Sequence, residues 1–323
     1  MGLLRGMSPI VTRFRAYQLG ASGSSFSYFA GGNFTLIEAR LTDVNRPRID
    51  DEMLACGVEV ANTLHITSWD KDHCCAPELE EILDLFRPER IECPGYPPCS
   101  DNAEDSLAII RTYRETRRQS NRPVTVESIT PAYIEGLRPA EILAFRNVYY
   151  HPKWIDAECA NNNSTVKLFR SGSFNVLSLG DVEDRNVSAR LRRDRYLKRE
   201  TDVMILAHHG ADNGFTDDNL LSSLAPRLAI CSSNYANQYD HPRPEIRELL
   251  YEHDVRLMTT KTGDVVVRSI GDHTGNYEAI NLQTDSTKVS SVATFRSKKA
   301  RLLGMNWDTI RQLYGRKPDH PRR

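Results

Sequence analysis

Four short apolar runs in this chain each lead into a cluster of aspartates or histidines. NTLHITSW (62–69) leads into Asp70, Asp72 and His73, and FNVLSL (174–179) into Asp181. DVMILA (202–207) leads into His208 and His209, and RLAICSS (227–233) is followed by His241. Runs of this length, apolar and rich in β-branched residues, read as buried strands. STVKLF (164–169), VRLMTT (255–260) and DVVVRS (264–269) add more of the same kind. The Gly-punctuated alternation in YQLGASGSSFSYFAGGNFTLIEARL (17–41) predicts opening hairpins. Helical patterns fall between, over 50–61, 77–86, 101–118, 184–199 and 243–253. The helix at 77–86 starts on a proline, and Ser100 stands at an N-cap position for the next. Strands mixed with helices on this spacing predict an α/β or α+β sandwich and exclude a bundle or an all-β barrel.

A chain of 323 residues can fill a large hydrophobic core. Its 42 Lys/Arg and 43 Asp/Glu nearly cancel, so no whole-chain charge draws it to a polyanion. The charge is uneven, however: from Thr284 on there are ten Lys/Arg against three Asp. That shift predicts a main domain over 1–275, with a helical or loop insertion near 94–160, and a basic C-terminal extension over 276–323 that could dock a partner protein. No apolar run approaches the roughly 18–20 residues of a membrane span, and the first residues make a poor signal peptide. The expectation is a cytoplasmic protein with no membrane partner. Seven cysteines occur without a CxxC pair, which excludes a zinc knuckle and predicts reduced thiols. Cys74 and Cys75, beside His73, read as packing residues.

Loops that leave strands at one rim of a sheet can converge on a ligand. Each cluster alone is an ordinary turn; four of them, each at a strand end, predict a metal site. The series ITSWDKDH, NNNSTVKLF, LSLGDVED, LAHHGAD and YDHPRPEI, in that order, resembles the metallo-β-lactamase fold superfamily, and within it the ComEC-like soluble hydrolase branch. The resemblance spans about 15–270 and implies an αββα sandwich of two mixed sheets flanked by helices. It also implies metal ligands at Asp70, Asp72, His73, Asp181 and His208, with His209 as the alternative of the histidine pair. Ser68 stands where that branch has the first histidine of its elbow, and a neutral serine is a poor ligand. His65 cannot replace it, lying three positions upstream on the opposite face of the strand. One firmly held divalent ion, Zn²⁺ or Mn²⁺, is expected, with a second weak or absent.

The resemblance further implies hydrolysis of a phosphodiester in DNA or RNA by a metal-activated water. Asp70 is the candidate to accept a proton or orient that water. His241 is the candidate to protonate the leaving oxygen or hold a phosphate. Ser68, Asn163, His209, Arg192 and Arg193 are candidates for substrate binding or for support of the ligands. The arginines belong to the basic stretch DRNVSARLRRDRYLKRE (184–200), of the kind that binds phosphate backbones. Two alternatives stay open: a small ester or lactone hydrolase on the same site, and a catalytically weak relative that binds nucleic acid or a protein.

Overall fold

The computed structural model describes residues 11–137, 148–271 and 275–305. Two sheets face each other. From edge to edge the larger runs β15 (Val289–Arg296), β14 (Asn276–Leu282), β13 (Val265–Ile270), β1 (Thr12–Ala16), β2 (Phe26–Ala30), β3 (Asn33–Ile37), β4 (Thr63–His65), β5 (Arg90–Pro94), β6 (Thr125–Ile129). The smaller runs β12 (Arg256–Thr259), β11 (Leu228–Cys231), β10 (Val203–Ile205), β9 (Val176–Ser178), β8 (Val166–Phe169), β7 (Val148–His151). Both are mixed: β3 to β6 and β9 to β12 are parallel, and the remaining pairs antiparallel.

Alternation along the strands sorts side chains between layers. Val203 and Ile205 of β10, with Leu228 and Ile230 of β11, meet Phe14, Phe26, Tyr28 and Val265 between the sheets. Met204, Ala229 and Cys231 point the other way, into a separate cluster. That cluster is closed by α5 (Arg185–Leu191), α6 (Arg195–Glu200), α7 (Asp218–Leu224) and α8 (Pro244–Glu252). Outside the large sheet lie α1 (Arg46–Cys56), α2 (Ala76–Phe86) and α3 (Asp101–Arg117). In α2 the apolar Leu79, Ile82, Leu83 and Phe86 recur at helical spacing and are all buried. By contrast, α1 buries little beyond Ile49 and Met53 and is tied down by charge. Its Glu52 carboxylate, 1% exposed, accepts from Arg13 at 2.6 Å, while Arg15 pairs with Asp264 at 2.7 Å. The result is the expected αββα sandwich.

Three expectations need correction. The span 94–160 holds more than helix and loop: β6 and β7, with the short α4 (Pro131–Gly136) between them, each complete one edge of a sheet. Residues 184–199 form two helices, because the Asp194 side chain accepts from the N–H of Tyr196 and Leu197 and starts a new helix there. The boundary at 275 does not separate an extension, since β13, β14 and β15 pair in series. The strands are followed by α9 (Lys298–Met305). Lys299 Nζ donates to the carbonyls of Arg170 and Gly172 at 2.9 and 3.0 Å, and Lys298 Nζ to those of Lys198 and Leu224. The basic residues from Arg311 onward lie outside the described residues. Among the described residues no helix is long and apolar enough to cross a membrane, and the seven cysteines are free thiols.

Asp202 underlies the last helix, accepting from the N–H of Lys298 at 2.7 Å and of Asn175 at 2.9 Å. It is fully buried, and burial pushes its carboxyl up to about 6 despite those donors. An unfolded aspartate titrates near 3.9, so the folded chain binds this proton more tightly. The contribution of Asp202 to stability therefore grows as pH falls through about 6 and is lost as pH rises through it. Between pH 7 and pH 5 the wild type should gain about 1 kcal/mol over Asp202→Asn. Urea unfolding of both proteins at the two pH values measures this, and a difference that does not change with pH would refute it.

Candidate metal centre

The carboxyl ends of the parallel strands of both sheets meet at one rim. From the large sheet comes the elbow after β4. Its turn is closed by the N–H of Cys74 donating to the Asp70 carbonyl at 2.7 Å. The loop before β2 supports it, as the N–H of Ser24 donates to the Asp72 carbonyl at 2.9 Å. A Cβ on Gly23 would stand 2.5 Å from that carbonyl, so only glycine lets the loop approach so closely. From the small sheet come Gly180 and Asp181 after β9, and the turn Ala207–Gly210 after β10. His208 and His209 take positive φ, 43° and 54°, which is uncommon for a side chain with a Cβ. The His208 N–H donating to the Gly180 carbonyl at 3.0 Å holds this turn against the GD turn.

Four side chains converge. Asp72, His73, Asp181 and His209 each offer a ligand atom, and these atoms all lie within 4.8 Å of one another. Among the described residues this is the one such group. His73 Nε2 is 2.9 Å from Asp181 Oδ1. That buried nitrogen nevertheless has no hydrogen bond of acceptable direction, as expected of donors aimed at a shared third point. His209 Nε2 is 3.2 Å from Asp72 Oδ2 and 3.9 Å from Asp181 Oδ2. Two imidazoles and two carboxylates make a chemically suitable set for a divalent ion.

The electrostatics agree. Burial opposes a charge on His73, yet the carboxylates of Asp181 and Glu38 raise its pKa well above the ordinary value. His209 is raised in the same way, mainly by Asp181 and Asp72 against burial. Asp72 and Asp181 are correspondingly held low, because the two histidines outweigh the burial that would keep them neutral. This is a site in which carboxylates concentrate negative charge where a cation would relieve it.

Each imidazole is oriented from behind, the arrangement common to metal-binding histidines. His209 Nδ1 is 2.9 Å from the Ser232 carbonyl. His73 Nδ1 is 3.2 Å from Glu38 Oε1, and Glu38 is fixed by the Thr67 hydroxyl at 2.6 Å and the Thr67 N–H at 3.0 Å. Glu38 went unmarked in the sequence. Its one signal is a carboxylate directly after the strand FTLI, and φ at Glu38 is +69°.

The other candidates are placed differently. His208 is outside the converging set: its Nδ1 contacts Glu183, which also accepts from Asn161 at 2.9 Å. The member of the pair that joins the converging set is thus His209, because the turn aims adjacent side chains in different directions. Asp70 is also outside the four. Its Oδ2 accepts from Ser68 Oγ at 3.1 Å, and Ser68 lies 3.0 Å from the Tyr96 hydroxyl. Burial raises the pKa of Asp70. Asn163 is spent on its own loop, accepting from the Asp156 N–H at 2.7 Å and donating to the Asp156 carbonyl at 2.8 Å. Arg192 pairs loosely with Asp217 at 3.8 Å, and Arg193 is exposed. Cys74 is buried, and burial pushes its thiol up to about 12, so it is inert packing.

His241 stands beside the cluster, with ring centroids 5.9 Å from His208 and 6.4 Å from His209. Burial and then the neighbouring histidines lower its pKa to about 4. That direction favours the neutral imidazole, which suits holding a phosphate, the other role expected of His241. It lines a cavity of about 430 Å³ with Asp70, Asp72, Asp181, Glu183 and Tyr239.

No family model matches the chain. It is 24% identical over 229 residues to ComE operon protein 3 of Bacillus subtilis (strain 168), an alignment covering 70% of this chain and 26% of that protein. It is 25% identical over 114 residues to competence protein ComA of Neisseria gonorrhoeae, covering 34% and 16%. The chain thus spans about a quarter or less of the length of these relatives. Among solved structures, the metallo-β-lactamase fold protein YhfI of Bacillus subtilis aligns with TM-score 0.45 at 10% identity, over 80% of this chain and all of that one. Igni18, a metallo hydrolase from Ignicoccus hospitalis, aligns with TM-score 0.44 at 12% identity, over 79% and 98%. Its two facing mixed sheets, the rim where the elbows meet and the order of its motifs give the chain a metallo-β-lactamase-like fold, and in sequence it is similar to ComEC-like proteins.

Proposed function

We propose that the chain is a metal-dependent hydrolase of phosphodiester bonds in nucleic acid, working with one firmly held ion, Zn²⁺ or Mn²⁺. The observation that carries this reading is the convergence of Asp72, His73, Asp181 and His209 from both sheets onto one point at the rim. When bound there, a divalent ion supplies Lewis acidity to a phosphoryl group and acidifies water. The chain's own residues do the rest. Asp70 lines the same cavity, burial raises its pKa, and its carboxylate is placed to accept a proton from water. Ser68 fixes that carboxylate through the 3.1 Å hydrogen bond, which gives the serine a use other than ligation. Neutral His241 donates a hydrogen bond to a phosphoryl oxygen, and the buried floor under the four ligands excludes bulk water. Because the four ligands do not include Ser68, the missing first histidine does not itself argue for a metal-free binding protein.

The test is elemental analysis of the purified chain, followed by turnover assays with Mn²⁺ or Zn²⁺ on single-stranded and duplex DNA, RNA, cyclic nucleotides and uncharged esters. About one ion per chain and metal-dependent cleavage of a phosphodiester are expected. Cleavage of esters alone would replace this reading with the small-ester hydrolase. Less than about half an ion per chain, with no turnover, would replace it with the binding protein.

A further inference from the structure

Beyond the Glu183–Asp184 step from the metal cavity opens a second cavity of about 470 Å³, a volume typical of small-molecule sites. Trp154 lines it together with Arg190 and Arg193, from α5 and the turn after it. The Arg190 guanidinium lies over the indole, 4.7 Å from the ring centroid. The indole is braced by His151, edge-on at 5.2 Å and 87°. His151 is itself fixed, with Nε2 2.6 Å from the Asn162 carbonyl.

Two features of this cavity point to a ligand. First, its cations form no ion pair: among the described residues no carboxylate comes within ion-pair distance of Arg190, Arg193 or the adjacent Lys153. Burial lowers the pKa of Lys153, Glu135 favours its charge, and Arg190 opposes it. The one acid in the lining, Asp184, is turned to its own backbone, accepting from the Asn186 N–H at 2.7 Å. Guanidinium groups that form no ion pair keep donors for a bound anion. Second, the layered Trp154 and Arg190 offer flat π and guanidinium surfaces, on which an unpaired base stacks and a paired base, covered by its neighbours in a duplex, does not.

We infer that the Trp154–Arg190–Arg193 cavity binds one unpaired nucleotide of a substrate strand, its base stacked on the Trp154–Arg190 pile and its phosphate on Arg193. This rests on the phosphodiester reading of the neighbouring metal centre. It makes the substrate single-stranded, at least on this side of the bond cleaved.

Binding is tested on the full chain in EDTA, where no turnover intervenes, with hexathymidylate and with a blunt DNA hairpin as probes. Of the other two tryptophans, Trp69 is buried with its Nε1–H donating to the Tyr96 carbonyl, and Trp307 lies outside the described residues. Quenching of tryptophan fluorescence by hexathymidylate, absent in Trp154→Phe, is expected. Trp154→Phe should keep affinity within a few-fold by anisotropy, since phenylalanine still stacks, whereas Trp154→Ala should weaken binding roughly 5- to 150-fold. Arg193→Ala should lower the slope of log affinity against log salt by about 0.7, whereas Arg190→Ala removes a stacking surface and should weaken binding with little change in that slope. Wild-type affinity in Trp154→Ala and both arginine variants overturns the cavity assignment and leaves the phosphodiester reading intact. Equal affinity for the hairpin overturns the preference for an unpaired strand. If the wild type neither binds these probes in EDTA nor cleaves any nucleic acid with metal, both readings fall.

Discussion

Asp181→Asn is expected to empty the candidate metal centre and to cut the proposed phosphodiester turnover by about 10³-fold or more. That is the rate equivalent of the several kcal/mol a Lewis-acidic ion supplies. Asp181 is 3% exposed and faces both histidines of the set, one through each carboxylate oxygen. An asparagine of the same shape keeps the packing but offers a neutral oxygen where a cation needs charge. Glu38→Gln should be milder, weakening metal affinity about 10- to 100-fold, because Glu38 acts only through His73. Elemental analysis after dialysis and steady-state kinetics on one oligonucleotide check both variants, with circular dichroism showing that each is folded. An Asp181→Asn protein that keeps its metal and its rate would remove the basis of the proposed chemistry.

Glu92→Gln should be the most damaging conservative change to stability. Beneath the site, Lys167 of β8 crosses between the sheets, its Nζ 2.6 Å from Glu92 Oε2 of β5 and its side chain 1% exposed. The ammonium also lies 4.9 Å from the centroid of the Tyr149 ring and 4.6 Å from that of Phe169. Glu92 is held well below the usual carboxylate range, since Lys167 and His65 outweigh its burial. Removing the carboxylate leaves a buried cation with aromatic faces but no counter-charge, a change that costs about 3–5 kcal/mol in comparable cases. Loss of the lysine proton caps the cost near 5 kcal/mol at pH 7. Lys167→Met should cost less, because Arg90 at 3.0 Å and His65 at 2.9 Å still accompany Glu92. Thermal unfolding should place Glu92→Gln roughly 5–7 °C below wild type. A loss under about 1 kcal/mol would mean that water or rearrangement reaches the buried ammonium.

Much of the architecture is legible because it is written locally. Apolar strands of period two, the helix start at Ser100 and the acidic or histidine-bearing turns after strands are short-range patterns. Chains with those patterns bury them in few ways. Errors arose where the deciding contact is local but small, as with Asp194, whose single side chain splits a helix. They also arose where it is distant, as with β6, β7, β14 and β15, whose partners lie elsewhere in the chain.

At the metal centre the division is sharper. The sequence alone determined that Asp72, His73 and Asp181 stand just past strand ends, and that a serine stands at position 68, because residue type and strand termination are properties of a few neighbouring residues. Only the tertiary structure chose His209 over His208, brought Glu38 behind His73 and gave Ser68 its hold on Asp70. Those outcomes depend on the φ of a turn and on the distance between strands from different sheets, which chain order does not encode. Ligand choice at a rim is a matter of direction, and direction exists only once both sheets are packed.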